Sequence, residues 1–221
     1  MDLETRALER VPRDGVVGLG TGSTAERFLR ALGARVRDGL KIRGVPTSRR
    51  TEALARELGI PLTTLDDVEA VDLTVDGADE VDPRLNLLKG FGGALVREKI
   101  VAAASRRVLI LASREKLVPR LGARGRLPVE VVPFGAAFAA RVLGASGLAA
   151  VVRIADGAPV RTDNGNAILD LAVGPIEDPE ALEEAIRAVP GVVGTGLFLG
   201  MAHEVLVEGD GGAVESLRRA P

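Results

Sequence analysis

The segment GLGTGSTA (Gly18–Ala25) joins a predicted strand to a predicted helix, and this junction indicates how the chain folds. Apolar residues run directly into its glycines, which is typical of a buried strand, here Gly15–Gly20, that ends in a loop. Apolar residues then recur at helical spacing across Ser23–Arg37. A strand, a glycine loop and a helix in succession form the unit from which parallel α/β sheets are built.

Strand and helix patterns continue to alternate through the first half of the chain. We predict strands over Lys41–Pro46, Val71–Val75 and Val108–Leu111, and helices over Ser48–Leu58 and from Gly93 onward. This alternation predicts an α/β fold with a Rossmann-like domain, whose mainly parallel sheet is covered by helices on both faces. Ligands bind such sheets at the carboxyl ends of the strands, so we expect the loops there to form a site.

The pattern changes near Arg126. The order becomes strand, helix, two strands, helix and strand, which predicts a smaller α+β domain with an antiparallel sheet. In chain order these elements are a strand at Val129–Val132, a helix at Phe134–Leu143, two strands around the turn TDNGN (Thr162–Asn166), a helix at Asp178–Val189 and a strand at Val192–Leu199. The Asn164-Gly165 pair favours a tight hairpin between the two central strands.

The last part of the chain is expected to return to the first domain. His203–Val207 is predicted as a strand and Ala213–Arg219 as a helix. We therefore predict a first domain over 1–126 and 200–221 and a second over 127–199. The sequence shows neither repeats nor a low-complexity linker between them.

Composition excludes several classes of protein. The chain has no cysteine and a single histidine, His203, so disulfides, thiol nucleophiles and histidine-rich metal centres are excluded. No apolar run approaches the roughly 18 residues that span a bilayer, and the charged N-terminal residues lack the apolar core of a signal peptide. The formal net charge of -2 at pH 7 argues against a general nucleic-acid binder. We expect a cytoplasmic protein with neither nucleic acid nor a membrane as its partner.

The GLGTGSTA loop suits a simple anion better than a dinucleotide. Its glycines let the backbone approach a ligand, the helix N-terminus offers free amides, and Thr21, Ser23 and Thr24 add hydroxyl groups. The dinucleotide fingerprint needs a glycine in place of Ser23 and an acidic residue after the second strand, where this chain has Pro46–Ser48. A phosphate or a small polar molecule therefore fits, and a serine-capped turn without a ligand is the alternative.

The acidic turn DGADEVD (Asp76–Asp82) ends the third predicted strand. Asp76 and Asp79 flank Gly77-Ala78, so both carboxylates can reach one pocket. Paired carboxylates bind sugar hydroxyls, bind a divalent metal or move protons. A magnesium site is the sharpest rival interpretation, and a solvated acidic turn is the simplest one.

The segment LLKGFGGALVREKI (Leu87–Ile100) places several charges in apolar surroundings. Its apolar residues surround most of the predicted helix, so Arg97, Glu98 and Lys99 cannot all face water. Buried charges are costly unless they are paired. The charges therefore indicate either an ion pair within the core or a functional site.

Lysines are rare in this chain, and two of them adjoin the predicted site. Lys89 and the amides of Gly90–Gly93 lie at a helix start, an arrangement that suits a developing oxyanion. Glu98 follows in a buried part of the helix and could act as a base that removes a proton next to a carbonyl. Lys116, in ASREKLV after the next strand, either contacts a phosphate or is an ordinary surface charge.

Five motifs, taken in this order, resemble ribose-5-phosphate isomerase of the A type. They are GLGTGSTA, TVDGADEVD, LLKGFGGALVREKI, ASREKLV and TDNGN, and the resemblance covers essentially the whole chain. The family interconverts ribose 5-phosphate and ribulose 5-phosphate in the pentose phosphate pathway, without a metal or an organic cofactor. The resemblance implies a Rossmann-like domain, a smaller α+β domain and assembly as a homodimer or homotetramer.

The resemblance also implies which residues form the site. The proton acceptor of the family corresponds to Glu98, and Lys89, Asp76 and Asp79 complete the catalytic set that we predict. The substrate-binding positions correspond to Thr21, Gly22, Ser23, Thr24, Asp76, Gly77, Ala78, Asp79, Lys89, Gly90, Phe91, Gly92 and Lys116. Phe91 departs from the pattern, because many members carry glycine there, and this change could narrow the pocket.

Functions of other classes stay open at this point. A catalytically silent sugar-phosphate sensor of the same fold is one, although it would not need the base, the lysine and the aspartate pair. A metal-dependent sugar-phosphate enzyme with Asp76, Asp79 and Asp82 as ligands is another. A nicotinamide-linked oxidoreductase is weaker still, because Ser23 interrupts the dinucleotide fingerprint.

Overall fold

The computed structural model describes residues 2–219, which form two compact units. Within these residues the first unit comprises 2–78, 97–117 and 200–219, and the second comprises 79–96 and 118–199. The α-helices are α1 (Leu3–Leu8), α2 (Ser23–Arg37), α3 (Arg49–Glu57), α4 (Leu95–Ala103), α5 (Ala136–Ala145) and α6 (Pro179–Arg187). The strands are β1 (Asp14–Leu19), β2 (Lys41–Pro46), β3 (Leu73–Gly77), β4 (Glu80–Val81), β5 (Leu87–Leu88), β6 (Val108–Ser113), β7 (Arg126–Val131), β8 (Ala150–Val152), β9 (Ile154–Ala155), β10 (Ala158–Pro159), β11 (Ala167–Ala172), β12 (Val192–Thr195), β13 (Leu197–Phe198), β14 (Glu204–Glu208) and β15 (Val214–Arg218). Among the described residues, none of the helices is both long and apolar enough to cross a membrane.

A six-stranded sheet with the order β15-β14-β6-β3-β1-β2 forms the centre of the first unit. β1 pairs in parallel with β2 and β3, β3 with β6, and β6 with β14, whereas β15 is antiparallel to β14. Neighbouring residues of β1 pack on opposite faces of the sheet. Val17 and Leu19 belong to the apolar core on one face, and Val16 belongs to the core on the other. Burial on both faces explains the continuous apolar run, and the sheet confirms the predicted α/β class.

Helices cover both faces of this sheet. On one face, Phe28 of α2 and Leu54 of α3 join the core. On the other face, Val101 of α4 packs against the strands. Gly18 makes this close packing possible, since a Cβ there would lie 1.9 Å from Thr74 Oγ1 and 2.8 Å from Val101 Cγ1.

The prediction of a helix over Ala213–Arg219 is wrong, because the segment forms the edge strand β15. β15 runs antiparallel to β14, and Glu204 lies opposite Arg218. Ser216 and Arg218 donate hydrogen bonds to Glu204 Oε1 at 2.8 and 3.4 Å. The open edge of β14 and this buried carboxylate outweigh local helix propensity, which is only a weak constraint on structure.

Glu204 makes the stability of the first unit depend on pH. Burial raises the pKa of its carboxyl group, but hydrogen bonds from Arg10 and Ser216 outweigh that effect and lower the pKa from 4.5 to about 2. Because the folded pKa lies below the unfolded one, the stabilisation is present above pH 4.5 and is lost as the pH falls towards 2. We expect Glu204→Gln to lower the free energy of unfolding by about 2–3 kcal/mol at pH 7 and by much less at pH 2.5.

Urea denaturation at the two pH values measures this effect. Glu215→Gln is the matched control, because Glu215 is an exposed residue of β15 and the free energy of unfolding should change little. If Glu204→Gln lowered the free energy of unfolding equally at both pH values, the result would contradict a lowered pKa of Glu204 as the cause of the pH dependence.

An antiparallel sheet with the order β12-β7-β11-β8 forms the centre of the second unit. β7 pairs with β11 along its whole length, from Arg126 to Val131. Leu143 of α5 and Ile186 of α6 pack into the core beside the sheet. A second antiparallel sheet, β13-β5-β4, completes the α+β character that the sequence predicts.

A two-residue hairpin that the sequence analysis did not predict lies at Asp156-Gly157. Asp156 and Gly157 have positive φ angles of 51° and 77°, and they connect β9 to β10. The TDNGN turn also reverses the chain tightly, as the sequence predicts. The N–H of Gly165 donates to the carbonyl of Thr162 and the N–H of Thr162 to the carbonyl of Asn166, both at 2.9 Å, beside an isolated antiparallel bridge between Arg161 and Ala167.

The predicted strand over Val192–Leu199 is divided into β12 and β13, which belong to different sheets. Gly196 lies at the break, where a Cβ would be 2.2 Å from the carbonyl oxygen of Lys89. The N–H of Gly196 donates to the carbonyl of Pro128 at 2.8 Å, and its carbonyl accepts the N–H of Lys89 at 2.9 Å. The chain thereby changes its hydrogen-bonding partner from β7 to the segment at Lys89.

The compact units group the residues before 126 differently from the predicted domains. Segments 79–96 and 118–126 belong to the second unit. The pairing of β5 with both β4 and β13 accounts for the first of these segments. The division near residue 200 is the same in both descriptions.

Candidate active site

Three predicted site segments follow neighbouring strands of the six-stranded sheet. Thr21–Thr24 follow β1, Asp76–Ala78 lie at the end of β3, and Lys116 ends a short 3-10 helix after β6. β1, β3 and β6 are adjacent and parallel. The first unit therefore brings these segments to one edge of its sheet. The chain continues from β1 to β2 and from β3 to β6, so the connections leave these two neighbouring strands in opposite directions. Ligands bind α/β sheets where the connections diverge in this way.

The turn from β1 into α2 presents backbone amides at this edge. Gly22 is the N-cap residue of α2, with a φ of 116° that favours glycine. In the described part of the chain no side chain caps this 15-residue helix. The amides of Ser23 and Thr24 and the positive end of the helix dipole can therefore bind an anion such as phosphate.

The hydroxyl group of Thr21 is engaged within the protein. Its Oγ1 lies 2.8 Å from Thr47 Oγ1, 2.8 Å from Ser48 Oγ and 3.0 Å from Thr51 Oγ1. Thr51 also donates to the carbonyl of Gly20 at 2.9 Å. These hydroxyl groups fix the loop to the start of α3, a role that sequence reasoning missed.

Asp76 connects the loops that follow β1 and β3. It is 2% exposed, and its Oδ1 accepts the N–H groups of Thr21 at 3.1 Å and Gly77 at 2.7 Å. A Cβ at Gly20 would lie 2.3 Å from the same oxygen, so the close approach requires glycine. The sequence assigned Asp76 to substrate, and the structure adds that it shapes the backbone around the site.

Glu98 lies in α4 and is 5% exposed, whereas Arg97 and Lys99 are partly exposed. α4 ends beside the start of β3, where the N–H of Val71 donates to the carbonyl of Ala104 at 3.0 Å. α4 consequently runs antiparallel to β3. The first turn of α4, which carries the buried Glu98, therefore lies towards the edge of the sheet at which β3 ends.

Lys116 presents a positive charge at the same edge. Its side chain is 27% exposed, and Nζ lies 4.0 Å from Glu115 Oε1. A contact of this length between solvent-accessible groups contributes little free energy. The ammonium group can therefore move to meet an anionic ligand at little cost.

The second unit contains the remaining predicted residues, Asp79 and Lys89–Gly92. Asp79 Oδ2 accepts the N–H of Phe91 at 2.9 Å, so the unit brings this carboxylate and the glycine loop together. Gly90 and Gly93 have φ angles of 102° and 86°, and the N–H of Gly93 donates to the carbonyl of Gly90 at 3.0 Å. The loop is thus a tight turn that requires glycine.

Lys89 is buried in the second unit, with an exposed fraction of 4%. Its Nζ lies 5.5 Å from the centroid of the Phe198 ring. An ammonium group in such surroundings interacts with nearby negative charge far more strongly than it would in water. Lys89 can therefore stabilise an oxyanion.

Two other acidic residues of DGADEVD, Glu80 and Asp82, have structural roles. Glu80 is fully buried and accepts backbone N–H groups of segment 122–124 at 2.6 and 2.7 Å. Asp82 Oδ1 accepts the N–H groups of Arg84 and Asn86, both at 2.8 Å. Asp82 therefore stabilises a turn, and the hypothesis of three aspartate ligands for a metal loses one of them.

Sequence reasoning missed Arg153, which donates hydrogen bonds to the glycine loop, and Asp170, which binds Arg153. Arg153 Nη1 donates to the carbonyl groups of Gly90 and Phe91, each at 3.0 Å. Asp170 Oδ2 accepts from Arg153 Nε at 2.8 Å. Arg153 is more than 60 residues from the loop in sequence, and no motif links them. Only the pairing of β8 with β11, which the sequence does not specify, brings Arg153 beside Asp170.

Glu130 accounts for the polar residues of the TDNGN turn, which the sequence analysis interpreted only as a tight turn. Glu130 is fully buried in β7. Its Oε1 accepts hydrogen bonds from Thr162 Oγ1, Asn164 Nδ2 and Asn166 Nδ2 at 3.0, 3.0 and 2.8 Å. The polar side chains of the turn thus bind one oxygen of a buried carboxylate and connect the turn to β7.

The sequence matches the family model of ribose 5-phosphate isomerase A (phosphoriboisomerase A) over residues 43–212. A ribose-5-phosphate isomerase A of Roseiflexus castenholzii is 56% identical over 213 residues, which cover 95% of this chain and 91% of the relative. A ribose-5-phosphate isomerase A of Thermomicrobium roseum is 54% identical over 94% of this chain and 92% of its own length.

Solved structures agree with these matches over nearly the whole chain. Ribose 5-phosphate isomerase A of Methanocaldococcus jannaschii has a TM-score of 0.93 and 41% identity, covering 98% of this chain and 96% of its own. A D-ribose-5-phosphate isomerase in complex with phospho-erythronic acid has a TM-score of 0.94 and 40% identity, with the same coverage. On the family model, the close relatives and these structures together, the chain belongs to the ribose 5-phosphate isomerase A family.

Proposed function

We propose that this protein interconverts D-ribose 5-phosphate and D-ribulose 5-phosphate by a metal-free proton transfer through an enediolate. The observation that carries the proposal is the buried carboxylate of Glu98 in the first turn of α4, the end of the helix that lies towards a sheet edge with a helix N-terminus for a phosphate. The names of the relatives support the substrate. The phospho-erythronic acid in one related structure also supports it, because its carboxylate resembles the charge distribution of an enediolate.

Binding and ring opening come first in the proposed reaction. The amides of Ser23 and Thr24 bind the phosphate with help from Lys116. Asp79 takes the proton of the hydroxyl group on carbon 1 while the bond between carbon 1 and the ring oxygen breaks, and it passes this proton to the ring oxygen, which becomes the hydroxyl group of carbon 4. We assign this step to Asp79 because its Oδ1 receives no hydrogen bond within residues 2–219, whereas Asp76 Oδ1 already accepts two. Asp76 instead holds substrate hydroxyl groups.

Proton transfer follows on the open-chain sugar. Glu98 removes the proton of carbon 2, the electron pair forms a double bond between carbons 1 and 2, and the carbonyl oxygen on carbon 1 becomes an oxyanion. Lys89 and the amide of Gly92 stabilise this oxyanion, because the N–H groups of Phe91 and Gly93 donate to Asp79 and to the carbonyl of Gly90. Glu98 then returns the proton to carbon 1, while the proton of the hydroxyl group on carbon 2 moves to the oxygen on carbon 1. The sum is an isomerisation, so no external oxidant or reductant is needed.

The proposal extends to the setting of the reaction. The substrate class places the activity in the non-oxidative branch of the pentose phosphate pathway. A cytoplasmic location and assembly as a homodimer or homotetramer follow from the sequence analysis and the family resemblance. Both are parts of the proposal.

NMR of protein treated with EDTA and then incubated with ribose 5-phosphate tests the function. We expect ribulose 5-phosphate to form at the same rate with and without the chelator, and unphosphorylated ribose to react far more slowly. Binding of ribose 5-phosphate without conversion would favour the sensor. Activity that EDTA removes and magnesium restores would favour a metal-dependent enzyme.

A further inference from the structure

We propose that Arg153, held by Asp170, is a positioning residue that orients two peptide groups of the glycine loop, so that the N–H of Phe91 holds Asp79 and the N–H of Gly92 faces the reacting oxygen. This inference rests on the proposed isomerase function and adds residues that no sequence motif identifies. Arg153 Nη1 donates to the carbonyl oxygens of Gly90 and Phe91, both at 3.0 Å. Two successive peptide groups of the loop therefore have their oxygens fixed by one guanidinium group.

Because a peptide group is planar, a contact that fixes its carbonyl oxygen also fixes the direction of its N–H group. All peptide bonds of the described residues are trans, so the N–H of each peptide group points away from its carbonyl. The peptide between Gly90 and Phe91 follows this rule, since its oxygen meets Arg153 and its N–H meets Asp79 Oδ2 at 2.9 Å. The N–H of Gly92 must likewise point away from Arg153.

The amide of Gly92 is available to a ligand. Gly92 is exposed, and within the described residues its N–H donates to no protein group. A backbone N–H that is fixed in direction before the substrate arrives stabilises a developing oxyanion without a cost of reorganisation. Arg153 therefore fixes the direction of the Gly92 N–H by binding the carbonyl oxygen of the same peptide group.

The positive charge of Arg153 also makes the N–H groups of these peptides stronger hydrogen-bond donors. The positive guanidinium group polarises both carbonyl groups, and polarisation of a carbonyl makes the N–H of the same peptide a stronger donor. Asp170 keeps the guanidinium plane in place through bonds to Nε and Nη2. The side chains of Arg153 and Asp170 are only 12% and 14% exposed, so water screens the interaction weakly.

Other contacts hold the path of the loop without Arg153. Gly93 closes the turn onto Gly90, and the N–H of Lys89 is bonded to Gly196. The guanidinium group of Arg126 lies 4.0 Å from the centroid of the Phe91 ring. Loss of the Arg153 side chain should therefore loosen the orientation of the peptide groups rather than unfold the loop.

The test compares Arg153→Gln, Asp170→Asn and the control Arg141→Gln, which changes an exposed arginine of α5 in the same unit. Isomerase kinetics are measured together with binding of two open-chain ligands. One is 4-phospho-D-erythronate, whose carboxylate takes the place of the enediolate. The other is ribitol 5-phosphate, which carries the phosphate and hydroxyl groups but no charge at carbons 1 and 2.

We expect Arg153→Gln to lower kcat by at least about tenfold with KM within roughly threefold, because it removes orientation of a donor and not the donor itself. The affinity for phospho-erythronate should fall in parallel with kcat, and that for ribitol 5-phosphate should stay within about twofold. Asp170→Asn should produce a smaller loss of the same pattern, which keeps the test valid if Arg153→Gln fails to fold. Arg141→Gln should match the unmutated protein.

Unchanged kcat in both variants of an active enzyme would overturn the role of Arg153. An equal loss of affinity for the two ligands would also overturn it, because that result would mean a general disruption of the site. An unmutated protein without isomerase activity would overturn the proposed function itself, and with it the role of Arg153.

Discussion

Replacement of Glu98 by glutamine is expected to lower kcat by about 10³-fold or more while KM stays within roughly threefold. Glutamine has nearly the same shape as glutamate but cannot take the proton of carbon 2. The effect should therefore fall on the chemical step rather than on binding of the substrate. Steady-state kinetics with ribose 5-phosphate measure both constants.

Two controls separate loss of the base from loss of the fold. Glu57→Gln changes an exposed glutamate of α3 and should leave kcat unchanged. Thermal unfolding should show that Glu98→Gln remains folded at the assay temperature. A folded Glu98→Gln variant with more than about a tenth of the unmutated kcat would remove Glu98 as the base, since general bases contribute far more than that.

The second large effect is expected for Lys89→Met, which should lower kcat by about 10²–10³-fold. Methionine fills the same buried volume, but it cannot place a positive charge beside the oxyanion. The affinity for phospho-erythronate should fall as well, because its carboxylate has the charge that Lys89 stabilises. Lys89→Arg should recover little activity, since a planar guanidinium group does not fit the place of a compact ammonium group that is 4% exposed.

Lys41→Met is the matched control, because Lys41 is exposed on β2. Its kcat should equal that of the unmutated protein. A Lys89→Met variant that loses affinity for ribitol 5-phosphate as strongly as for phospho-erythronate would contradict the role of Lys89 in charge stabilisation. It would assign Lys89 to binding of the hydroxyl groups instead.

The periodicity of apolar residues was sufficient to predict five strands of the large sheet, namely β1, β2, β3, β6 and β14. Strands such as β1 are buried on both faces, so they appear in the sequence as uninterrupted apolar runs that end in glycine. The same reasoning failed for β15, a short edge strand whose pairing with β14 depends on partners elsewhere in the chain. It also missed the hairpin at Asp156-Gly157, because the strands β9 and β10 on either side of it have only two residues each and show no periodicity.

The candidate site divides in a similar way. Residues that follow parallel strands, such as Asp76 and Lys116, could be located from the sequence because the fold class determines where strand ends lie. Arg153, Asp170 and Glu130 could not, because they act through contacts between strands that are distant in sequence. Their importance depends on the register of the antiparallel sheet, which no short motif encodes.

Proton NMR of the conversion of ribose 5-phosphate in heavy water, with EDTA-treated protein, tests the proposed mechanism most directly. We expect deuterium to enter carbon 1 of the ribulose 5-phosphate that forms. Less than one deuterium per turnover is still consistent, because a buried base can return the proton that it removed. Conversion in which deuterium never enters carbon 1, even after prolonged incubation at equilibrium, would contradict proton transfer through an enediolate and point to direct hydride transfer between carbons 1 and 2.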